Sequence, residues 1–346
     1  MKENNSNINY KEVLLNYLCD LLFISIAIII YRNLPYYRQF LPGAVQTEIL
    51  IFAFIYVIFA FPYYCFIASH SVSRSAQIIL GLLNFTRQCV IYLKERKKKG
   101  SLSFPSLDSR VKVGLLFMMV KFFYIPLMLT FAFHHILSIE GWKGKILTLS
   151  LDIKFLYDSI YMLILDIFFL IDTTLYSLGY LVESKYLDNE VKSVDTTLLG
   201  WTVTLLCYPP FSIISGYLLP WPKSSDLITL DNPIMTFLSR FFIVLLTGIY
   251  VWASIALGSK CSNLTNRGIV SSGPYAFVRH PAYISKNLVW WILTIPYLGI
   301  QSILGAAGWG LLYYMRAITE ERHLNQDPDY IEYCKKVPWR FIPCVF

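Results

Sequence analysis

Residues 288–315, LVWWILTIPYLGIQSILGAAGWGLLYYM, decide the fold. They are apolar almost throughout, yet too long for one upright crossing, which takes roughly 20 residues of helix. Pro296 and Gly299 fall in the first half, and Gly305, Gly308 and Gly310 follow. Proline stops a helix because it has no N–H and clashes with the turn before it. The stretch therefore reads as two helices joined by a tight turn. Such a hairpin returns the chain to the membrane face it left, so the polar residues before and after it meet on one side.

Further apolar runs lie upstream, at 13–31, 49–68, 113–137, 155–182, 197–219 and 234–257. With the hairpin they predict an all-α, polytopic transmembrane bundle of about eight crossings that ends in a tail helix. Composition agrees: 56% of the 346 residues are hydrophobic and 15% are charged, against roughly 45 to 50% and 25% in a soluble domain. The segment 76–93 is also rather apolar, but Gln77, Asn84, Arg87 and Gln88 make it read as a helix lying in the interface. Residues 1–190 form an N-terminal transmembrane region without a readable role, and residues 191–346 carry the informative motifs.

Orientation follows from basic residues, which concentrate in cytoplasmic loops. Residues 94–112 hold Lys94, Arg96, Lys97, Lys98, Lys99, Arg110 and Lys112 against Glu95 and Asp108. Counting crossings from that loop puts 183–195, 258–287 and the C-terminal tail on the cytoplasmic side too. The membrane would be the endoplasmic reticulum in a eukaryote and the inner membrane in a bacterium. The net charge of +8 fits a protein facing anionic lipid; no basic and aromatic module of the nucleic-acid-binding kind is present. Seven cysteines without a CxxC pair and five scattered histidines match no metal-site spacing, so no metal is expected.

Two polar stretches flank the hairpin. The first, 265–283, reads TNRGIVSSGPYAFVRHPAY; the second, 316–343, reads RAITEERHLNQDPDYIEYCKKVPWRFIP. Ionisable groups at a membrane boundary are costly unless they have a partner or a task. Arg316 and Glu320 are four apart on a helix and share a face, with Glu321 beside them. By contrast Asp158, Asp166 and Asp172 fall within an arc of roughly 120° of one membrane helix, a polar seam expected to pair with Lys121, Lys154 or backbone donors.

Taken together, the residues of the two stretches resemble a family. Gly273, Pro274, Tyr275, Val278, Arg279, His280, Pro281 and Tyr283, then a hydrophobic hairpin, then Arg316, Glu320, Glu321 and Leu324, then Tyr330, Tyr333, Val337 and Pro338, resemble the isoprenylcysteine carboxyl methyltransferases and their phospholipid methyltransferase relatives. The strong likeness covers about residues 263–343, and a looser one in helix layout reaches back to about 197. Ser285 stands where the family usually has glycine, and Arg267 where a histidine is common.

The resemblance implies an S-adenosylmethionine-dependent membrane methyltransferase acting on a lipophilic acceptor in the bilayer. The implied reaction is most like isoprenylcysteine carboxyl O-methylation, with phospholipid amine N-methylation as the alternative. It implies cofactor contacts from Ile269, Val270, Tyr275, His280, Pro281, Tyr283, Glu320 and Glu321, with Arg316 and Arg279 toward the acceptor. Sterol reductases that use NADPH have a similar C-terminal layout, but their 2'-phosphate calls for arginines where this tail offers Glu320 and Glu321. A lipid-binding or transport protein that retains the fold is the non-enzymatic alternative.

Overall fold

A computed structural model describes residues 9–66, 72–96, 103–147, 153–219 and 226–345. Lys97, Lys98 and Lys99 of the basic loop lie outside them. The chain is nearly all helix and divides into two units, Met1–Pro126 and Leu127–Phe346.

The first unit contains α1 (Tyr10–Asn33), α2 (Pro35–Phe40), α3 (Gly43–Phe66), α4 (Arg74–Arg96) and the start of α5 (Ser109–Leu147). Helix α1 packs on α3 and α4. Their shared polar point is buried Asp20 of α1, which accepts hydrogen bonds from Tyr56 at 2.6 Å and Tyr64 at 2.5 Å on α3, and from Ser73 at 3.2 Å. A buried carboxylate needs such donors, since an unpaired one would be strongly disfavoured away from water.

The second unit holds the rest of α5, then α6 (Ile153–Leu181), strand β1 (Ser193–Val194), α7 (Leu198–Leu205), α8 (Ser212–Leu218) and α9 (Pro233–Leu257). Strand β2 (Thr265–Asn266), α10 (Pro281–Thr294), α11 (Ile300–Leu324) and α12 (Pro328–Lys336) complete it. The expected hairpin is α10 and α11, which pack together, and α10 also packs along α9. The apolar part of α11 ends at Met315; the charged turns from Arg316 onward lie beyond it.

The helices differ in two places from the apolar runs of the sequence. Among the described residues, the helices long and apolar enough to cross a membrane are α1, α3, α4, α5, α6 and α9. Helix α4 is thus one of them by length and composition, although its sequence reads as interfacial. The run 197–219 is not one crossing helix: α7 and α8 are separated at Pro209-Pro210, because two prolines remove consecutive backbone donors. Its ends meet α11 at Arg322, which donates to Thr197, and at Trp309, which donates to the Leu219 carbonyl at 3.3 Å. Those residues of α11 are about 20 Å apart at 1.5 Å per residue, short of the roughly 30 Å of a hydrocarbon core. Gly308 permits the approach, since a Cβ there would sit 2.3 Å from the Leu219 side chain.

The aspartate seam staples α6 to its neighbours. Asp158 pairs with Arg240 of α9 at 2.5 Å. Asp166 takes His135, Ser138 and Trp142 of α5, and Asp172 takes Tyr250 and Ser254 of α9. Arg240, His135 and hydroxyls thus take the place expected for Lys121; the Lys154 side chain lies outside the described residues.

Candidate active site

The first polar stretch is shaped by Gly273, whose φ of +61° is left-handed and strained for a residue with a Cβ. A Cβ there would also press on Ala256 and Trp252 of α9, at 3.2 and 3.3 Å. Pro274 carries the chain into a short 3-10 turn, and Pro281 opens α10 at a position where its missing N–H costs nothing. Asp327 caps α12 by accepting from the Asp329 amide, again with a proline next.

Beyond α12 the tail doubles back onto the first stretch. The Arg279 and His280 amides donate to the Trp339 and Arg340 carbonyls, both at 2.9 Å. The Arg279 guanidinium donates to the Val337 and Pro338 carbonyls at 3.1 and 2.8 Å, and Tyr333 donates to the Tyr275 carbonyl at 2.7 Å. The two stretches are therefore one structure, locked through the backbone.

Each residue of a helix turns 100° from the last, so Arg316, Thr319, Glu320 and His323 share one face of α11 while Glu321 points well away from Glu320. That first face lines a cleft with about 700 Å³ of open space, together with Tyr176, Asp195, Ser262, Asn263, Thr265, Tyr275, Arg279, His280 and Tyr283. Glu320 is exposed there and accepts a hydrogen bond from Tyr283 at 2.6 Å. Arg316 lies deeper and is buried; it donates to Asn263, and its guanidinium stands over the rings of Tyr283 at 5.1 Å and of Tyr208 and Tyr313 at 5.6 Å. Cation–π contacts of this kind hold a guanidinium in place without neutralising it.

Glu321 is turned out of the cleft. Its carboxylate takes Arg279 Nε at 2.9 Å, His280 Nε2 at 3.1 Å and both Nε and Nη2 of Arg340, at 3.1 and 2.8 Å. Burial opposes its ionisation, but the bonds from His280, Arg340 and Arg279 outweigh that and hold it well below the usual carboxylate range.

Of the residues singled out by sequence, Tyr275, Arg279, His280, Tyr283, Arg316 and Glu320 come together at the cleft. Ile269 instead packs with Tyr330, Tyr333 and Val337; Val270 is half-buried, and Pro281 is buried at the start of α10. Several cleft residues escape sequence reasoning. Strand β1 pairs antiparallel with β2, Ser193 opposite Asn266, and this brings in Asp195 and sets Ser193 Oγ 2.8 Å from His323 Nε2. Burial pushes the His323 imidazole below the ordinary histidine value, against the upward pull of Asp195 and Glu320. The seven-residue spacing from Arg316 to His323 was a legible signal; the β pairing, between short segments far apart in sequence, was not. Asn263, which heads an Asn-Leu-Thr sequon, is buried against Tyr180. Among the described residues no group of three or more His, Cys, Asp or Glu is arranged to hold a metal ion.

Residues 234–327 match the phospholipid methyltransferase family model. Over this segment the chain is similar to that family of integral membrane methyltransferases. The matched segment covers α9, the first polar stretch, α10 and α11, and stops at the residue that caps α12. It therefore includes Arg316 and Glu320, whereas Arg340 and the tail that braces the first stretch lie outside it. No curated protein matches the chain.

Proposed function

We propose that this protein transfers a methyl group from S-adenosylmethionine to a lipophilic acceptor held in the membrane, with the cleft on the cytoplasmic side. The observation that carries the reading is the pairing of an exposed carboxylate, Glu320, with a buried but still charged Arg316 one turn deeper in the same cleft. The donor set fits the cofactor. Glu320, oriented by Tyr283, accepts from ribose hydroxyls or the ammonium group, while the rings of Tyr275 and Tyr283 offer π faces to adenine or a sulfonium. His280 also lines the cleft, its Nε2 held by Glu321, and Pro281 fixes where α10 begins beside it.

Bound S-adenosylmethionine supplies an activated methyl group on sulfur. The protein's part is to align the acceptor with that group and keep water out. Arg316 orients the acceptor: an acceptor carboxylate is already ionised and needs only such a cation. Arg279 touches the cleft but is committed to Glu321 and the tail carbonyls, so it acts chiefly as a brace, together with Glu321 itself. An NADPH-dependent reductase is disfavoured by Glu320 and Asp195, which would repel a 2'-phosphate. Calorimetry on the purified protein tests the reading. S-adenosylmethionine should bind in the micromolar range, roughly −8 kcal/mol, and NADPH should not bind; the reverse result would assign the cleft to a reductase.

A further inference from the structure

To orient an acceptor, Arg316 must be held in place by groups that leave its charge intact. Among the described residues it forms no ion pair; it donates to the side-chain oxygen of Asn263 and lies over three tyrosine rings. A guanidinium carries donors only, so an amide beside it must turn its oxygen inward and its NH2 away. That NH2 donates to the Tyr180 hydroxyl at 2.8 Å and to the Tyr208 hydroxyl at 3.3 Å. The Asn263 backbone N–H donates to the same Tyr180 oxygen, also at 2.8 Å. Both donors of Asn263 are thus anchored on tyrosines, and its acceptor faces Arg316 at the wall of the cleft.

Tyr180 belongs to α6, outside the segment matched to the family, and is fully buried. Its neighbour Gly179 permits the approach, since a Cβ there would stand 2.0 Å from the Cys261 carbonyl oxygen. On the other side of Asn263, Leu264 has a left-handed φ of +64°, and its carbonyl accepts from the Asp195 amide at 2.8 Å. A leucine keeps that conformation only where its surroundings impose it. The chain is pinned against α6 before Asn263 and against the turn after β1 behind it. Shape alone does not explain the amide, because an aspartate differs from asparagine at one atom and could accept the same bond. It would, however, cancel the charge of the guanidinium in a site shielded from water.

We propose that Asn263, held by Tyr180, positions Arg316 for the acceptor and leaves its charge uncompensated, so that α6 is part of the methyl-transfer site. This role rests on the methyltransferase reading and adds two positioning residues to it. Neither touches the reacting atoms; both act through Arg316.

The test uses the full-length protein in membranes that supply their own acceptor, with methyl-labelled S-adenosylmethionine as the probe and label in the membrane fraction as the readout. Asn263→Asp should lower transfer at saturating cofactor about a hundredfold, the scale of a misplaced reactant. Cofactor affinity by calorimetry should hold, and melting temperature should hold or rise. Tyr180→Phe, which keeps the ring and removes the hydroxyl, should lower transfer about tenfold, the effect of one hydrogen bond to the positioning amide. In an Arg316→Ala background Tyr180→Phe should cost nothing more, because it acts through the missing guanidinium. Transfer near the wild-type level in Asn263→Asp would overturn the proposal. So would additive losses from Tyr180→Phe and Arg316→Ala, or losses that merely follow melting temperature or cofactor affinity. Should Asn263→Asp fail to fold, the Tyr180→Phe and Arg316→Ala comparison decides. Failure of the wild-type protein to bind S-adenosylmethionine would instead sink the methyltransferase reading, before any variant is compared.

Discussion

The last turns of α11 present two faces that treat carboxylates in opposite ways. Glu321 is buried and saturated, its oxygens filled by Arg279, His280 and Arg340. Glu320, the residue before it, is exposed to the cleft and takes a hydrogen bond from Tyr283. A carboxylate whose acceptors are all used has no capacity left for a ligand; one facing open space does. On the proposed function, the contrast leaves structure to one face and ligand binding to the other.

The largest effect expected is on the saturated side. Glu321→Ala leaves Arg279 and Arg340 without their carboxylate, and breaking a buried ion-pair cluster costs about 3 kcal/mol. Thermal unfolding in detergent should show that loss, with cofactor affinity reduced only as far as the fold is lost. Should Glu321→Ala unfold normally yet lose S-adenosylmethionine binding, the assignment of the two faces is reversed.

Next comes the open face. Glu320→Ala should weaken S-adenosylmethionine by about 1 to 3 kcal/mol, measured by titration, with little change in melting temperature. Arg316→Ala should leave cofactor affinity nearly intact and lower single-turnover methyl transfer, and Arg316→Lys should restore it incompletely because a point charge lacks the guanidinium fork. Equal loss of cofactor binding in the Glu320 and Arg316 variants would make them one structural pair. Tyr283→Phe sharpens the comparison further: it removes one donor to Glu320 and should cost the cofactor about 1 kcal/mol.

The smallest effect concerns pH. Because the folded pKa of His323 lies below its unfolded value, its contribution is full above about pH 6.5 and declines as pH falls toward the folded pKa. Glu321 is also depressed, but for a carboxylate that contribution is present above about pH 4.5 and lost only in stronger acid. Between pH 7 and 5, melting temperature should therefore fall through His323, and His323→Gln should flatten the slope. An unchanged slope in that variant would place the titrating group elsewhere.

Much of the site was legible because its parts lie close in sequence or at helical spacing. The hairpin followed from Pro296 and Gly299 within an apolar run, and the meeting of the two polar stretches followed from the hairpin. Adjacency misled at Glu321, since neighbours on a helix diverge by 100° even though they sit together in the chain. Asp195 and Ser193 could not be assigned because they reach the cleft through a pairing of β1 with β2 across some seventy residues. The break at Pro209-Pro210 was written in the sequence, but the apolar run around it outweighed it in the reading.

The sequence by itself determined that this is a helical membrane protein with a hairpin and a polar site at its end, because apolar length, proline position and charge act locally. Only the tertiary structure decided which carboxylate faces open space and which arginine is tied up in bracing. Those depend on the rotation of α11 against α10 and the return of the tail. Many long-range contacts set that geometry together, and no single segment encodes it.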